Sequence, residues 1–243
     1  FMELIRVKTY EEMSRKAADI IENQVISHPD CVLGLATGST PLGMYRELAA
    51  DHHAGKVSFK DVTSVNLDEY RGLSREDEQS YYYFMHHNFF EKVDMNPLKT
   101  NIPDGMAPDI GKECSRYDRL ISELGGVDLQ LLGIGRNGHI GFNEPRDFFP
   151  KGTHVVDLDQ STIEANKRFF REGETVPRQA FSMGIGTIMS AGKILLLASG
   201  KDKAWSINQL LNGDVTPRVP CSILQFHDNV TVIADEEACF FLQ

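Results

Sequence analysis

Apolar positions along the chain follow two periods. Between Tyr10 and Ser27 they recur at Met13, Ala17, Ile20, Ile21 and Val25, the spacing of a helix with one buried face, and His28-Pro29 ends it. Cys31–Thr37 is instead a short continuous apolar run bounded by Gly38, which predicts a buried strand, and Thr40-Pro41 then opens a second helix. The unit repeats. Val62–Leu67 precedes a helical stretch at Gln79–Val93, and Ile110–Leu124 predicts a helix feeding a strand at Val127–Leu132. Ile194–Ala198 feeds a helix at Lys203–Leu211, and Val230–Ala234 is a final strand. Apolar strands alternating with helices predict an α/β chain: a mostly parallel, doubly wound, Rossmann-like sheet with helices on both faces. No repeat, low-complexity tract or linker interrupts the pattern, so a single domain over residues 1–243 is expected.

Composition narrows the class. The 243 residues, 41% of them hydrophobic, suffice for one large core. No apolar run approaches the roughly 20 residues of a membrane span, so no membrane partner is expected. The N-terminus carries no basic region followed by an apolar stretch, which makes the cytoplasm the expected compartment. The four cysteines, Cys31, Cys114, Cys221 and Cys239, form no C-x-x-C pair, so neither a disulfide framework nor a zinc cage is expected. A net charge of −10 disfavours nucleic acid as a partner and requires any phosphate site to be positive locally.

In open parallel sheets ligands bind beyond the carboxyl ends of the strands, and four such ends carry chemistry. After the first predicted strand, Thr37, Gly38, Ser39 and Thr40 offer backbone N–H groups and hydroxyls at a helix N-terminus, a setting that favours an anion. No lysine follows in P-loop register, which points to a phosphomonoester over a nucleoside triphosphate; an ordinary helix cap is the alternative. After the second strand, Asn66-Leu-Asp-Glu-Tyr70 holds two consecutive carboxylates that strand alternation points to opposite sides. Asp68 is the one assigned to the cleft, where partial desolvation would raise its pKa enough to accept a carbon-bound proton. A solvated strand end is the competing reading.

The third end is the richest. Gly133-Ile-Gly-Arg-Asn-Gly-His-Ile-Gly-Phe-Asn-Glu-Pro145 combines tight-turning glycines with Asn137, His139 and Glu144: a polar group, a proton carrier near neutral pH and a charge to orient it. Gly133, Gly135 and Gly138 also spell G-x-G-x-x-G, with Asp157 and Asp159 roughly 20 positions on, as a dinucleotide site would require. Against that reading, Gly141 and Pro145 break the helix that the third glycine should open. A metal site is not expected, because His139 and Glu144 match neither H-x-x-x-H nor H-E-x-x-H spacing. The pairs His52-His53 and His86-His87 lie on predicted helices and receive no function, and Arg168 and Lys203, the latter closing the fourth strand end, are isolated cations.

Together, Gly34 to Pro41, Val65 to Tyr70, Gly133 to Pro145, Ala165 to Phe170 and Gly200 to Ala204 resemble the glucosamine-6-phosphate deaminase family, in order and spacing, along nearly the whole chain. The combination of Asn-Leu-Asp-Glu-Tyr with Gly-x-Asn-Gly-His-Ile-Gly-Phe-Asn-Glu-Pro carries the resemblance; 6-phosphogluconolactonases and sugar-phosphate-sensing regulators share the phosphate turn alone. The resemblance implies conversion of glucosamine 6-phosphate and water into fructose 6-phosphate and ammonia, with no metal or organic cofactor. It implies Asp68 as the base that moves a proton between C2 and C1, and His139 as the ring-opening acid/base flanked by Asn137 and Glu144. Thr37, Gly38, Ser39 and Thr40 would cradle the phosphate, completed by Arg168 and Lys203.

Four departures qualify it. Asn137 stands where some members carry aspartate, which would make His139 depend more on Glu144 and lower its pKa. Arg146-Asp-Phe-Phe149 replaces a small, hydroxyl-rich loop, and His154 and Val156 stand where hexameric allosteric members use basic residues. With a C-terminal extension also missing, a monomer or weak oligomer unresponsive to N-acetylglucosamine 6-phosphate is expected. Two rival functions remain: a phosphosugar lactonase, which needs no base at Asp68, and a silent sugar-phosphate sensor, against which stand Asp68 and His139.

Overall fold

The computed structural model describes residues 1–242, apart from the side chains of Ser161, Ala165 and Asn166. Along the chain follow β1 (Met2–Val7), α1 (Tyr10–Ser27), β2 (Val32–Leu35), α2 (Leu42–His53), β3 (Thr63–Asn66), β4 (Asp68–Arg71), α3 (Tyr81–Asn88), β5 (Thr100–Asn101) and α4 (Ile110–Glu123). Then come β6 (Leu129–Leu132), β7 (His154–Asp157), α5 (Gln160–Asn166), β8 (Gln179–Ser182), α6 (Ile185–Met189), β9 (Lys193–Ala198), α7 (Ala204–Asn212) and β10 (Val230–Asp235). Seven strands form the main sheet in the order β1-β10-β9-β6-β2-β3-β5, with every neighbouring pair parallel.

The order reverses at β2. The chain runs outward through β3 and β5, then returns to lay β6 along the other side of β2, so a crevice opens between the carboxyl ends of β2 and β6. Val32–Leu35 and Leu129–Leu132 are buried at every position, as strands covered on both faces must be. Met13, Ala17, Ile21 and Val25 of α1 are buried, as their spacing requires, and Thr9 caps the helix by accepting the Glu12 N–H at 3.2 Å. The helix expected at Gln79–Val93 is shorter: α3 starts after its cap Ser80 and gives way to a 3-10 turn at Phe90–Lys92.

A second, three-stranded antiparallel sheet, β4-β8-β7, escapes the periodicity. β4 is Asp-Glu-Tyr-Arg, too polar to signal a strand by itself, and its partner residues are distant: Arg71 donates to the Gln179 side chain 108 positions away. The two sheets join at Leu67, whose N–H donates to Leu35 and whose carbonyl accepts from Met183 at 2.7 Å. β4 is therefore anchored at the rim of the crevice. Among the described residues no helix is long and apolar enough to cross a membrane, and all four cysteines are free.

Candidate active site

The ends of β2, β3, β6 and β9, four neighbouring strands, empty into one cavity of about 280 Å³. Its wall includes Thr37, Gly38, Ser39, Thr40, Asp68, Tyr81, Gly135, His139 and Lys203. A larger cavity, about 590 Å³, opens at the far ends of β4 and β8 beside Arg71 and Arg178, and holds none of the predicted site residues. Size alone would select the larger hollow; the predicted site residues gather in the smaller one.

The anion end is built from backbone. Gly38 turns at φ 97°, a left-handed conformation that side chains resist, and among the described residues the N–H groups of Gly38, Ser39 and Thr40 make no hydrogen bond within the chain. Tyr10 of α1 clamps the turn: its hydroxyl donates to the Ser39 carbonyl at 2.7 Å and accepts from the Gly43 N–H at 2.8 Å. Lys203 approaches on a loop that Asp235 fixes by accepting from the Ser199 hydroxyl at 2.5 Å and the Gly200 N–H at 3.1 Å. Burial pulls the Lys203 pKa below its usual range, Asp202 opposes that and nearby Arg136 adds to it. An ammonium so short of solvent gains from an incoming anion.

Asp68 and Glu69 diverge as strand alternation predicts. Asp68 faces the cavity, while Glu69 is 2% exposed and turns to α3, whose first two N–H groups, from Tyr81 and Tyr82, it accepts at 2.9 Å. Burial, reinforced by the neighbouring Glu69 charge, pushes Asp68 up to about 8, into the range of a base working near neutrality. Tyr81 is a wall residue that sequence reading missed; it is half-buried, stands beside Thr37 on the cavity wall with its ring 4.7 Å from that of Tyr70, and desolvation raises its pKa well above the ordinary value. Nothing in a run of three tyrosines distinguishes it beforehand.

The histidine loop is tightly folded. A Cβ on Gly135 would lie 2.1 Å from Nδ1 and Cε1 of His139, so only glycine lets the imidazole rest on this backbone. Gly135 is held in turn by its N–H bond to the His139 carbonyl at 2.8 Å and by the Ser206 hydroxyl, which donates to its carbonyl at 2.6 Å. His139 Nδ1 faces Asn137 Oδ1 at 2.8 Å and Glu144 Oε1 at 3.3 Å, and the Asn137 amide donates to Glu144 Oε2 at 2.7 Å. Both neighbours of Nδ1 are acceptors, which places the proton there and leaves Nε2 as the proton acceptor. Burial lowers the His139 pKa, Glu144 partly restores it and Lys203 lowers it further.

Other predicted positions fall elsewhere. Arg168 does not line the cavity: it sits exposed in a 3-10 turn at Lys167–Phe169, with its guanidinium 4.6 Å from the Phe169 ring centroid. Arg146 covers Phe148 at 5.2 Å and Asp147 pairs with Arg218. His154 lies on β7 with Nδ1 against the Gly152 carbonyl. His52 contacts the Val57 carbonyl and His86 stacks on Tyr82, which are packing roles. The glycines of G-x-G-x-x-G lead into an Ile140–Asn143 bridge and no helix, so the dinucleotide reading lacks its pyrophosphate site. Among the described residues no three His, Cys, Asp or Glu side chains gather as a metal site.

A parallel α/β sheet that brings an anion turn, a desolvated carboxylate and an oriented imidazole to one switch-point cavity is the arrangement of an enzyme acting on a small phosphorylated molecule. The chain belongs to the family described as glucosamine-6-phosphate isomerases/6-phosphogluconolactonase, which matches residues 6–233. It is 52% identical over 237 residues to the glucosamine-6-phosphate deaminase of Thermoanaerobacter sp. (strain X514), covering 98% of this chain and 94% of the relative. It is 54% identical over 237 residues to that of Clostridioides difficile (strain 630), covering 98% and 95%. A solved monomeric glucosamine-6-phosphate deaminase superposes with a TM-score of 0.94 at 48% identity, covering 98% of this chain and 99% of that one. The 6-phosphogluconolactonase of Thermotoga maritima, at 18% identity and a TM-score of 0.73 over 97% and 99%, shares the fold.

Proposed function

We propose that this chain carries out the isomerising deamination of glucosamine 6-phosphate, consuming water and yielding fructose 6-phosphate and ammonia, in amino-sugar (N-acetylglucosamine) catabolism. The observation that carries the reading is the presence of Asp68 and His139 on one cavity, with the Thr37–Thr40 turn and Lys203 available to hold a phosphate. His139 Nε2 takes the anomeric hydroxyl proton and returns a proton to the ring oxygen, opening the sugar; Glu144 and Asn137 hold the imidazole in the required tautomer. Asp68 removes the proton from C2 and delivers it to C1, which converts the amino-aldose to a ketimine. Water adds to C2 of that imine, and ammonia leaves as the C2 carbonyl forms.

The test is an ammonia-coupled assay with glucosamine 6-phosphate, run beside 6-phosphogluconolactone hydrolysis. Ammonia release without lactone hydrolysis is the expected result, and the reverse assigns the chain to the lactonases. Lys203→Ala is expected to raise KM tenfold or more, about the 1.5–3 kcal/mol of a charge-assisted contact, with a smaller change in kcat. A loss confined to kcat would instead place Lys203 in the chemistry.

We also propose Arg168 as a second phosphate cation, which requires the segment between β7 and β8 to swing toward the cavity. The remaining parts of the reading are a single-domain cytoplasmic monomer that does not answer to N-acetylglucosamine 6-phosphate. In support, His154 and Val156 provide no permanent positive charge where an anionic effector would need it.

A further inference from the structure

Glu69 is not on the cavity wall, yet it is tied to two residues that are, Asp68 beside it on β4 and Tyr81 of α3. Its carboxylate accepts three backbone N–H groups, from Tyr70 at 2.8 Å, Tyr81 at 2.9 Å and Tyr82 at 2.9 Å, and the last two are the first turn of α3. A carboxylate there meets the positive end of the helix and replaces water as the partner of its orphan donors. One residue earlier, on the opposite face of β4, Asp68 lines the cavity and has no such donors among the described residues; across the small sheet it pairs with Ser182, and Glu69 with Phe181. Two carboxylates one residue apart are thus buried in unequal surroundings. One is satisfied by fixed dipoles and the other is left to the substrate.

We propose that Glu69 is a positioning residue that caps α3 onto β4 and, as a fixed negative charge behind Asp68, sets the strength of that base. The inference rests on the reading of Asp68 as the proton-transfer base. Its electrostatic part follows from the order of ionisation. Burial pushes Glu69 up to about 7 while its three N–H donors pull it down and Asp77 pushes it up; Asp68, without donors, lies at about 8. Three backbone N–H donors and the positive end of α3 favour the Glu69 anion, so Glu69 loses its proton first, and its charge then opposes ionisation of Asp68. The other groups around Asp68 are Tyr81 of α3 and Tyr117 of α4, both phenols whose pKa is raised by burial, with His139 and Lys203 on the cavity wall. The phenols stay neutral near pH 8, and the fixed anion is Glu69. The cap does a second job: Tyr81 donates its N–H to Glu69 and also stands on the cavity wall beside Thr37, so one residue spans the base and the phosphate turn.

The experiment compares Glu69→Gln with Glu69→Asp. In Glu69→Gln the acid limb of kcat/KM against pH is expected to move down by about one pH unit, because Asp68 ionises more easily without the charge behind it. The rate above the limb should fall about threefold or more, because the base is weaker. Glu69→Asp keeps the charge and strains the cap, so its limb should stay in place while its thermal midpoint drops. A residue that served only as a cap would lower stability in both variants and leave both limbs unmoved, which overturns the proposal. Carboxyl ¹³C NMR on the unaltered protein, with Asp68 assigned through Asp68→Asn, provides an arm that needs neither a folded Glu69 variant nor enzymatic turnover. Glu69 should ionise below Asp68; the opposite order also overturns the proposal. Absence of ammonia release from the unaltered protein would refute the reading of the reaction, while the NMR order would still decide the role of Glu69.

Discussion

Asp68→Asn is expected to lower kcat by roughly 10²–10⁴, the contribution of a positioned general base, while leaving KM within a few-fold. The substitution barely changes volume and leaves the phosphate turn intact, so binding should survive where proton transfer does not. It should also stabilise the protein. A carboxyl whose folded pKa is about 8, against an ordinary value of about 3.9, favours the folded state fully only below the ordinary value and loses that contribution as pH rises through 8. Above pH 8 the native protein holds a buried charge that the amide lacks. The gain in thermal midpoint should therefore be larger at pH 9 than at pH 5, reaching about 2 kcal/mol, or about 4–8 °C for a chain of this size. Calorimetry at the two pH values checks this; an equal gain at both would mean that Asp68 is solvated and unsuited to the role.

The second large effect concerns His139. His139→Gln keeps a polar group in place of the imidazole but cannot carry a proton, and kcat/KM with the cyclic substrate should fall by about 100-fold or more. The two variants should separate on a different measurement. Fructose 6-phosphate in deuterated buffer with ammonia drives the isomerisation backwards, and deuterium wash-in at carbon reports the C1–C2 proton transfer alone. Histidine-deficient enzyme should still exchange the molecules that open spontaneously, whereas Asp68→Asn should exchange none. Loss of wash-in in both, to the same extent, would merge the two roles into one. Because burial keeps the His139 pKa below its ordinary value, its protonation should not limit the rate near neutrality; the acid limb belongs to Asp68.

Much of this site was legible in the sequence for a topological reason. In a parallel sheet every strand delivers its following residues to the same edge, so Thr37–Thr40, Asp68 and His139 could be expected together once their strands were recognised, whereas Lys203, though it follows a strand too, was raised above a surface charge only by resemblance. Alternation along a strand also separated Asp68 from Glu69 before any coordinates. What escaped was long-range or had no local signature. The small sheet pairs Asp68–Arg71 with residues far along the chain, and a polar tetrapeptide does not announce such partners. Tyr81 gained its place on the wall through the docking of α3, and Tyr10 through the crossing of α1 over the phosphate turn. Arg168 was reached only through resemblance, and its exposed turn gives no physical cue to a ligand.

Tyr10 also couples parts of the molecule that look independent. One phenolic oxygen is both donor and acceptor to the segment that would grip the phosphate tail, and that phenol belongs to the first helix and is not on the cavity wall. Loosening the first helix would thus reach the sugar as a slackened hold on its far end, leaving the proton carriers untouched. Natural variation in the opening helix is therefore expected to tune affinity more than turnover.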